Sequence, residues 1–231
     1  MQPISQILPR LELLPTAITT SNNRSFLKGT PSAWGEAFLQ ACDYIMHVER
    51  NEPVTHSFII DDHNRGLINQ MYHYSTGSNL FQGDLSKGIY MFGAIGTGKT
   101  IILKATCAIL DKYTIKNIPF MIAKKLEKLV VERGESVFAE FEKKPLFLDD
   151  IMKEEKEVVH YQQKHSPFID LMSLRYDTGA WTFLTSNYKE ETTEEHYGKM
   201  MFSRMKSMMN FIEVTKTGYE IKKFEQVNRR V

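Results

Sequence analysis

The chain has 231 residues, 42% of them apolar and 25% charged. That is enough to bury the core of one α/β domain with an appendage, and it excludes collagenous, mucin-like and wholly disordered chains. Lysine plus arginine (29) nearly cancels aspartate plus glutamate (28), leaving a net charge of +1, so any attraction to nucleic acid or acidic lipid must come from local patches.

Residues 1–30 mix short apolar pieces with Pro3, Pro9 and Pro15 and read as a mostly irregular arm. Thr30 followed by Pro31 has the form of a helix N-cap with proline at the first helical position. Trp34, Ala37, Phe38, Ala41, Ile45 and Met46 then recur at three- and four-residue steps, which predicts an amphipathic helix over 31–49. Its stripe packs on its own domain or, as an alternative, presents Trp34, Phe38 and Ile45 to a partner groove. A second helix is predicted over Asp62 to Tyr74. From Gly88 onward short apolar runs alternate with helical stretches, the pattern of a largely parallel sheet. The predicted strands are 89–92, 119–122, 146–149, 182–185 and 211–214, with long helices over 99–111 and 167–177.

Cys42 and Cys107 form neither a disulfide framework nor a zinc-ligand spacing and read as buried apolar residues of a reducing, cytoplasmic compartment. No run approaches the roughly 18 apolar residues of a membrane span, and no signal peptide is expected.

The chemistry begins at Gly93-Ala94-Ile95-Gly96-Thr97-Gly98-Lys99-Thr100, which matches GxxxxGK[ST] directly after an apolar strand and before a helix. Glycines let successive N–H groups turn inward toward phosphate oxygens, and the following helix adds its positive N-terminal end. Lys99 is expected to neutralise the β- and γ-phosphates of a nucleotide, in a kinase, a GTPase or an ATPase alike, and Thr100 to offer its hydroxyl to Mg2+. Pro145-Leu-Phe-Leu-Asp149-Asp150 is an apolar strand ending in two carboxylates. Asp149 is the expected magnesium ligand, directly or through water, while Asp150 would accept a proton from the attacking water or orient it. Asn187, after the next strand, either holds that water or is a turn residue. Arg204, in Ser-Arg-Met on a predicted helix, is by itself a solvated surface group.

These elements in this order, with the Thr-Ser-Asn strand end, Leu174-Arg175-Tyr176 and the Ser-Arg-Met helix, resemble AAA+ ATPases of the initiator and helicase-loader group, above all DnaC-type helicase loaders and IstB-type transposition ATPases. The resemblance covers about residues 62 to 215. It implies an α/β P-loop NTPase, a three-layer sandwich around a parallel five-stranded sheet. A helical N-terminal extension (31–80) would precede an ATPase core (81–231), with a reduced or absent lid, since few residues follow Val214. It makes Asp150 the catalytic carboxylate, Asn187 the γ-phosphate sensor and Arg204 a finger reaching a neighbouring subunit's ATP in a homo-oligomer. Arg175 would be a second interface arginine, and a further sensor cation would be Lys222, Arg229 or Arg230. The implied activity is Mg-dependent ATP hydrolysis that loads a replicative helicase onto DNA. Alternatives are a transposition ATPase with a transposase as client, a small-molecule P-loop kinase, and a binding module that uses ATP as a slow switch. Lys124, Lys125, Lys128, Lys143 and Lys144 lie where this group contacts single-stranded DNA. Interleaved Glu127, Glu132, Glu135, Glu140 and Glu142 make a solvated mixed-charge face the simpler reading.

Overall fold

The computed structural model describes residues 15–16, 26–53, 55–114 and 117–224. Most of the expected N-terminal arm, together with Arg229 and Arg230, lies outside them. Within the arm, β1 (Pro15–Thr16) pairs antiparallel with β2 (Phe26–Leu27), setting Pro15 opposite Leu27 and Thr16 opposite Phe26.

Helix α1 spans Pro31–Tyr44 and runs into a π-helical turn at Ile45–Glu49. Thr30 caps it as the sequence predicts, its Oγ1 accepting from the Ala33 N–H at 3.2 Å. The apolar stripe faces inward: Trp34 and Phe38 stack with centroids 5.1 Å apart, and they and Ile45 are at most 2% exposed. This corrects the docking alternative, because anchors this buried are not available to a partner. Helix α2 (Arg65–Thr76) begins three residues later than predicted. Asp61 and Asn64 instead close a turn on one another, Asp61 Oδ1 accepting from the His63 and Asn64 N–H groups and Asn64 Oδ1 from the Asp61 N–H.

The five predicted strands are β3 (Gly88–Gly93), β4 (Phe120–Ile122), β5 (Leu146–Asp149), β8 (Thr182–Thr185) and β9 (Met209–Thr215). All five run parallel, but the sheet has a sixth strand, β10 (Gly218–Lys222), antiparallel to β9, and its order is β10-β9-β3-β8-β5-β4. The added strand corrects the five-stranded expectation. It forms because the chain reverses over Lys216 and Thr217, so that Gly218 (φ 153°) pairs with Thr215, and Tyr219 and Ile221 pack on the core beside the sheet edge. Lys222, a candidate sensor, lies on this edge strand with its Nζ 2.8 Å from Glu213 and 2.7 Å from Glu220.

The pleat splits the core in two, as period-two alternation requires. Ile89, Met91, Phe147, Phe183 and Ile212 face α1, α2 and α3 (Lys99–Thr114). Tyr90, Phe92, Leu148, Leu184 and Phe211 face α4 (Ala123–Arg133), α5 (Ser136–Phe141), α6 (Pro167–Thr178), α7 (Glu190–Tyr197) and α8 (Lys199–Met208). The result is the expected three-layer sandwich. A short hairpin that sequence patterning does not reveal, β6 (Val158–His160) with β7 (Gln163–His165), lies between β5 and α6. Among the described residues, no helix is long and apolar enough to cross a membrane.

Candidate nucleotide site

The site forms at the C-terminal end of the central strand β3. Gly93 takes φ 117°, and a Cβ there would lie 2.5 Å from the Val214 carbonyl oxygen of β9. Without one, the Ala94 N–H reaches that same oxygen at 3.1 Å, and the loop springs from two strands tied together. The loop then curls through Gly96 and Gly98 into the first turn of α3. Lys99 is 5% exposed, and its Nζ donates to the Gly93 carbonyl oxygen at 3.1 Å, to that of Ala94, and to Thr97 Oγ1 at 3.4 Å. Burial lowers its pKa while Asp150 and Asp149 act the other way, so the ammonium is held where a phosphate would complete its charge balance. Ile95 stands at the exposed loop tip.

Across from the loop, β5 delivers Asp149 and Asp150. Asp149 is buried, and its Oδ1 accepts from Thr100 Oγ1 at 2.8 Å and from Thr185 Oγ1 of β8. Its pKa is raised by burial, with the two threonine hydroxyls opposing. Asp150 has left-handed backbone, φ 55°, which costs a side-chain-bearing residue about 1–2 kcal/mol. The Asp150 carboxylate has partners that Asp149 does not share. Oδ1 accepts from Asn187 Nδ2 and Oδ2 from Lys153 Nζ, each at 2.8 Å. Thr185 holds the turn, its Oγ1 accepting from the Asp150 N–H and its carbonyl from the Ile151 N–H, both at 3.0 Å.

The structure thus brings together Gly93 to Thr100, Asp149, Asp150 and Asn187, and adds Thr185 and Lys153, which sequence reasoning missed. Thr185 was in view as a strand end; Lys153 carries no signal beyond following Asp150. Arg204 lies elsewhere on the same subunit. From α8 its Nη1 donates to Ser173 Oγ at 2.8 Å, and its guanidinium lies 5.3 Å from the Tyr176 ring, both on α6.

Arg175 requires a correction. It is fully buried, with its guanidinium donating to the Phe141, Lys144 and Trp181 carbonyls and to Thr182 Oγ1, so it closes the inside of its own subunit and does not reach a neighbour. Burial alone pushes its pKa down to about 9, leaving it charged at neutral pH.

The expected DNA lysines are divided. Lys124 pairs with Glu127 at 2.8 Å and Lys143 with Glu142 at 3.3 Å, whereas Lys125, Lys128 and Lys144 are exposed with no ion pair among the described residues. Among those residues, no three His, Cys, Asp or Glu side chains gather into an all-protein metal centre.

No family model matches the chain. No curated protein matches it either. Solved structures do. The DnaC helicase loader is 23% identical with a TM-score of 0.50, over 70% of this chain and 94% of that one. A structure assigned as a primosome component from Streptococcus pyogenes serotype M3 is 15% identical with a TM-score of 0.53, over 71% of this chain and 85% of that one. The replication initiator DnaA bound to AMPPCP and single-stranded DNA is 20% identical with a TM-score of 0.51, over 68% of this chain. This chain spans about half the length of that initiator, 48%. The likeness is one of fold: the chain shares with these proteins an α/β architecture, here built on a mainly parallel six-stranded sheet.

Proposed function

We propose that the chain binds ATP with Mg2+ at this site, hydrolyses it, and uses the cycle to load a replicative helicase onto DNA. The observation that carries the reading is the direct contact between the two halves of the site. Thr100 Oγ1 at the start of the phosphate-loop helix lies 2.8 Å from Asp149 Oδ1, with Asp150 and Asn187 immediately beside it.

A hydroxyl and a carboxylate oxygen this close are hard donors that one magnesium ion can engage together, with the nucleotide and water supplying the rest. Bound there, magnesium supplies neutralisation of β- and γ-phosphate charge. The loop N–H groups and the N-terminal end of α3 cradle the phosphates. Lys99 exchanges its carbonyl partners for phosphate oxygens, a stronger charge-assisted set. Asp150 takes the proton of the attacking water, which Asn187 orients. Arg204 of a neighbouring copy stabilises charge developing on the γ-phosphate, an effect on the order of 10³-fold in such reactions. Lys125, Lys128 and Lys144, exposed and in no close ion pair among the described residues, contact the DNA backbone.

The test has two parts. Asp150→Asn should bind ATP as the parent does but turn it over far more slowly, and equal turnover by the two proteins would remove Asp150 from the mechanism. Purified intact protein should then retain a replicative helicase in the presence of ATP. Retention of a transposase, with every helicase offered ignored, would replace the loader reading by the transposition one.

A further inference from the structure

The segment after Asp149 reads Asp150-Ile151-Met152-Lys153-Glu154, and both Asp150 (φ 55°) and Met152 (φ 73°) are left-handed. Side-chain-bearing residues keep such backbone only where the surroundings over-determine it. Thr185 does so for Asp150. For Met152 the holding group comes from the opposite direction. The Met152 N–H donates to the Tyr197 phenolic oxygen at 2.9 Å, and that phenol donates to Glu154 Oε1.

Tyr197 closes helix α7. It is 6% exposed and stacked on Phe168 with ring centroids 4.1 Å apart and planes 20° from parallel. Its hydroxyl accepts one bond and donates one, both to the loop. A second α7 residue, Thr193, places its Oγ1 3.4 Å from Met152 Sδ and 2.9 Å from the Tyr90 hydroxyl of β3. Ile151 between them is fully buried. The loop that carries Asp150 is therefore docked on α7, and α7 joins α8 through the single residue Gly198 (φ 83°). Of the two side chains that grip the Asp150 carboxylate, Lys153 belongs to this same loop.

We propose that Tyr197 is a positioning residue for Asp150: by holding the Met152 N–H and the Glu154 carboxylate together, its hydroxyl fixes the loop from α7 and sets where the Asp150 carboxylate points. The inference rests on Asp150 being the catalytic carboxylate. It also gives α8, which carries Arg204, a mechanical connection to that carboxylate within one subunit.

Tyr197→Phe keeps the stacked ring and removes only the hydroxyl. Hydrogen exchange on the full chain should show the 150–154 amides exchanging about 10-fold faster or more while the amides of β3 and β8 change less, with the melting temperature lowered by a few degrees. ATP affinity should hold, while kcat falls by about 10-fold or more through misplacement of the reacting group. In an Asp150→Asn background the same change should cost less than about 2-fold, because the group being positioned is already disabled. Unchanged exchange at 150–154, or an equal loss of kcat in both backgrounds, would overturn the proposal and leave Tyr197 a packing residue. If the parent chain itself fails to turn over ATP, the proposed function falls, and the exchange measurement still decides whether Tyr197 holds the loop. Should Tyr197→Phe fail to fold, Glu154→Leu removes the phenol's acceptor and is judged by the same exchange and double-variant outcomes.

Discussion

Replacing Arg175 with methionine keeps an unbranched apolar stem and removes a guanidinium that ties three segments of one subunit. The lost bonds run to the Phe141 carbonyl at the end of α5, the Lys144 carbonyl in the loop before β5, and the Trp181 carbonyl and Thr182 hydroxyl at the start of β8. Hydrogen bonds from a charged donor are worth about 1.5–3 kcal/mol each. Several acceptors, however, keep another contact. The Trp181 carbonyl still receives the Leu146 N–H at 3.0 Å, and Thr182 Oγ1 still donates to the Ala180 carbonyl at 2.9 Å. The Phe141 and Lys144 carbonyls are only partly buried and can take water. Relief from burying a cation with no carboxylate beside it offsets more. The net cost should be about 2–4 kcal/mol, which for a domain of this size lowers the melting temperature by about 5–15 °C. Differential scanning calorimetry measures the shift. Nucleotide affinity and turnover per folded molecule, assayed well below the transition, should stay near those of the parent. A melting temperature unchanged within about 2 °C, together with loss of hydrolysis, would refute the internal role and restore Arg175 to the subunit interface.

Lys99→Ala should lose most ATP affinity, since the phosphates lose their main counter-charge in a partly dry loop; undiminished binding by equilibrium titration would overturn the phosphate-loop assignment. Arg204→Ala should lose turnover while retaining nucleotide, and mixing it with Asp150→Asn should restore part of the rate, because a mixed interface can pair one intact arginine with one intact carboxylate. No recovery at any ratio of folded, assembling variants would place its action in its own subunit. Trp34→Ala and Phe38→Ala should each cost about 3–5 kcal/mol of stability through the cavity left beneath α1, read as lowered urea midpoints. A midpoint unchanged in either variant would contradict the inward packing of that helix.

The strand-to-helix turn from Gly93 to Thr100 was legible because backbone curvature demands its glycines within eight consecutive residues. The parallel strands were legible as short apolar runs, buried on both faces in the sheet interior, while Ile122 of the edge strand β4 is exposed. What escaped prediction depends on contacts distant in sequence. The β6–β7 hairpin has only three residues per strand, too few to show alternation, and it is pinned by Val158 in the core and by His160 Nδ1 at 2.8 Å from the Val131 carbonyl, partners no local pattern announces. Thr185 looked like any β-branched strand residue, yet it bonds both the Asp149 carboxylate and the Asp150 N–H. Arg175 was misjudged for a related reason: the resemblance made it a second interface arginine, and only the carbonyls that converge on it show otherwise. Trp34, Phe38 and Ile45 illustrate a limit of periodicity, which identifies the apolar face of a helix without saying what covers it.

The join between the Ala94 N–H and the Val214 carbonyl bears on how the protein comes into being. Strand β3 lies between β8 and β9, so the neighbour that braces the phosphate loop is the last of the five parallel strands to leave the ribosome. A nascent chain that has exposed β3 through Asn187 already holds the Gly93 to Thr100 loop, Asp149, Asp150 and Asn187, but not this brace. Long-range parallel pairing of this kind is slow to form, because its loop-closure entropy is met before its contacts are made. During synthesis the nucleotide cradle should therefore mature only after residues 209–215 have emerged. ATP would then be a ligand of the finished sheet, able to stabilise the completed domain but not to template its earlier intermediates.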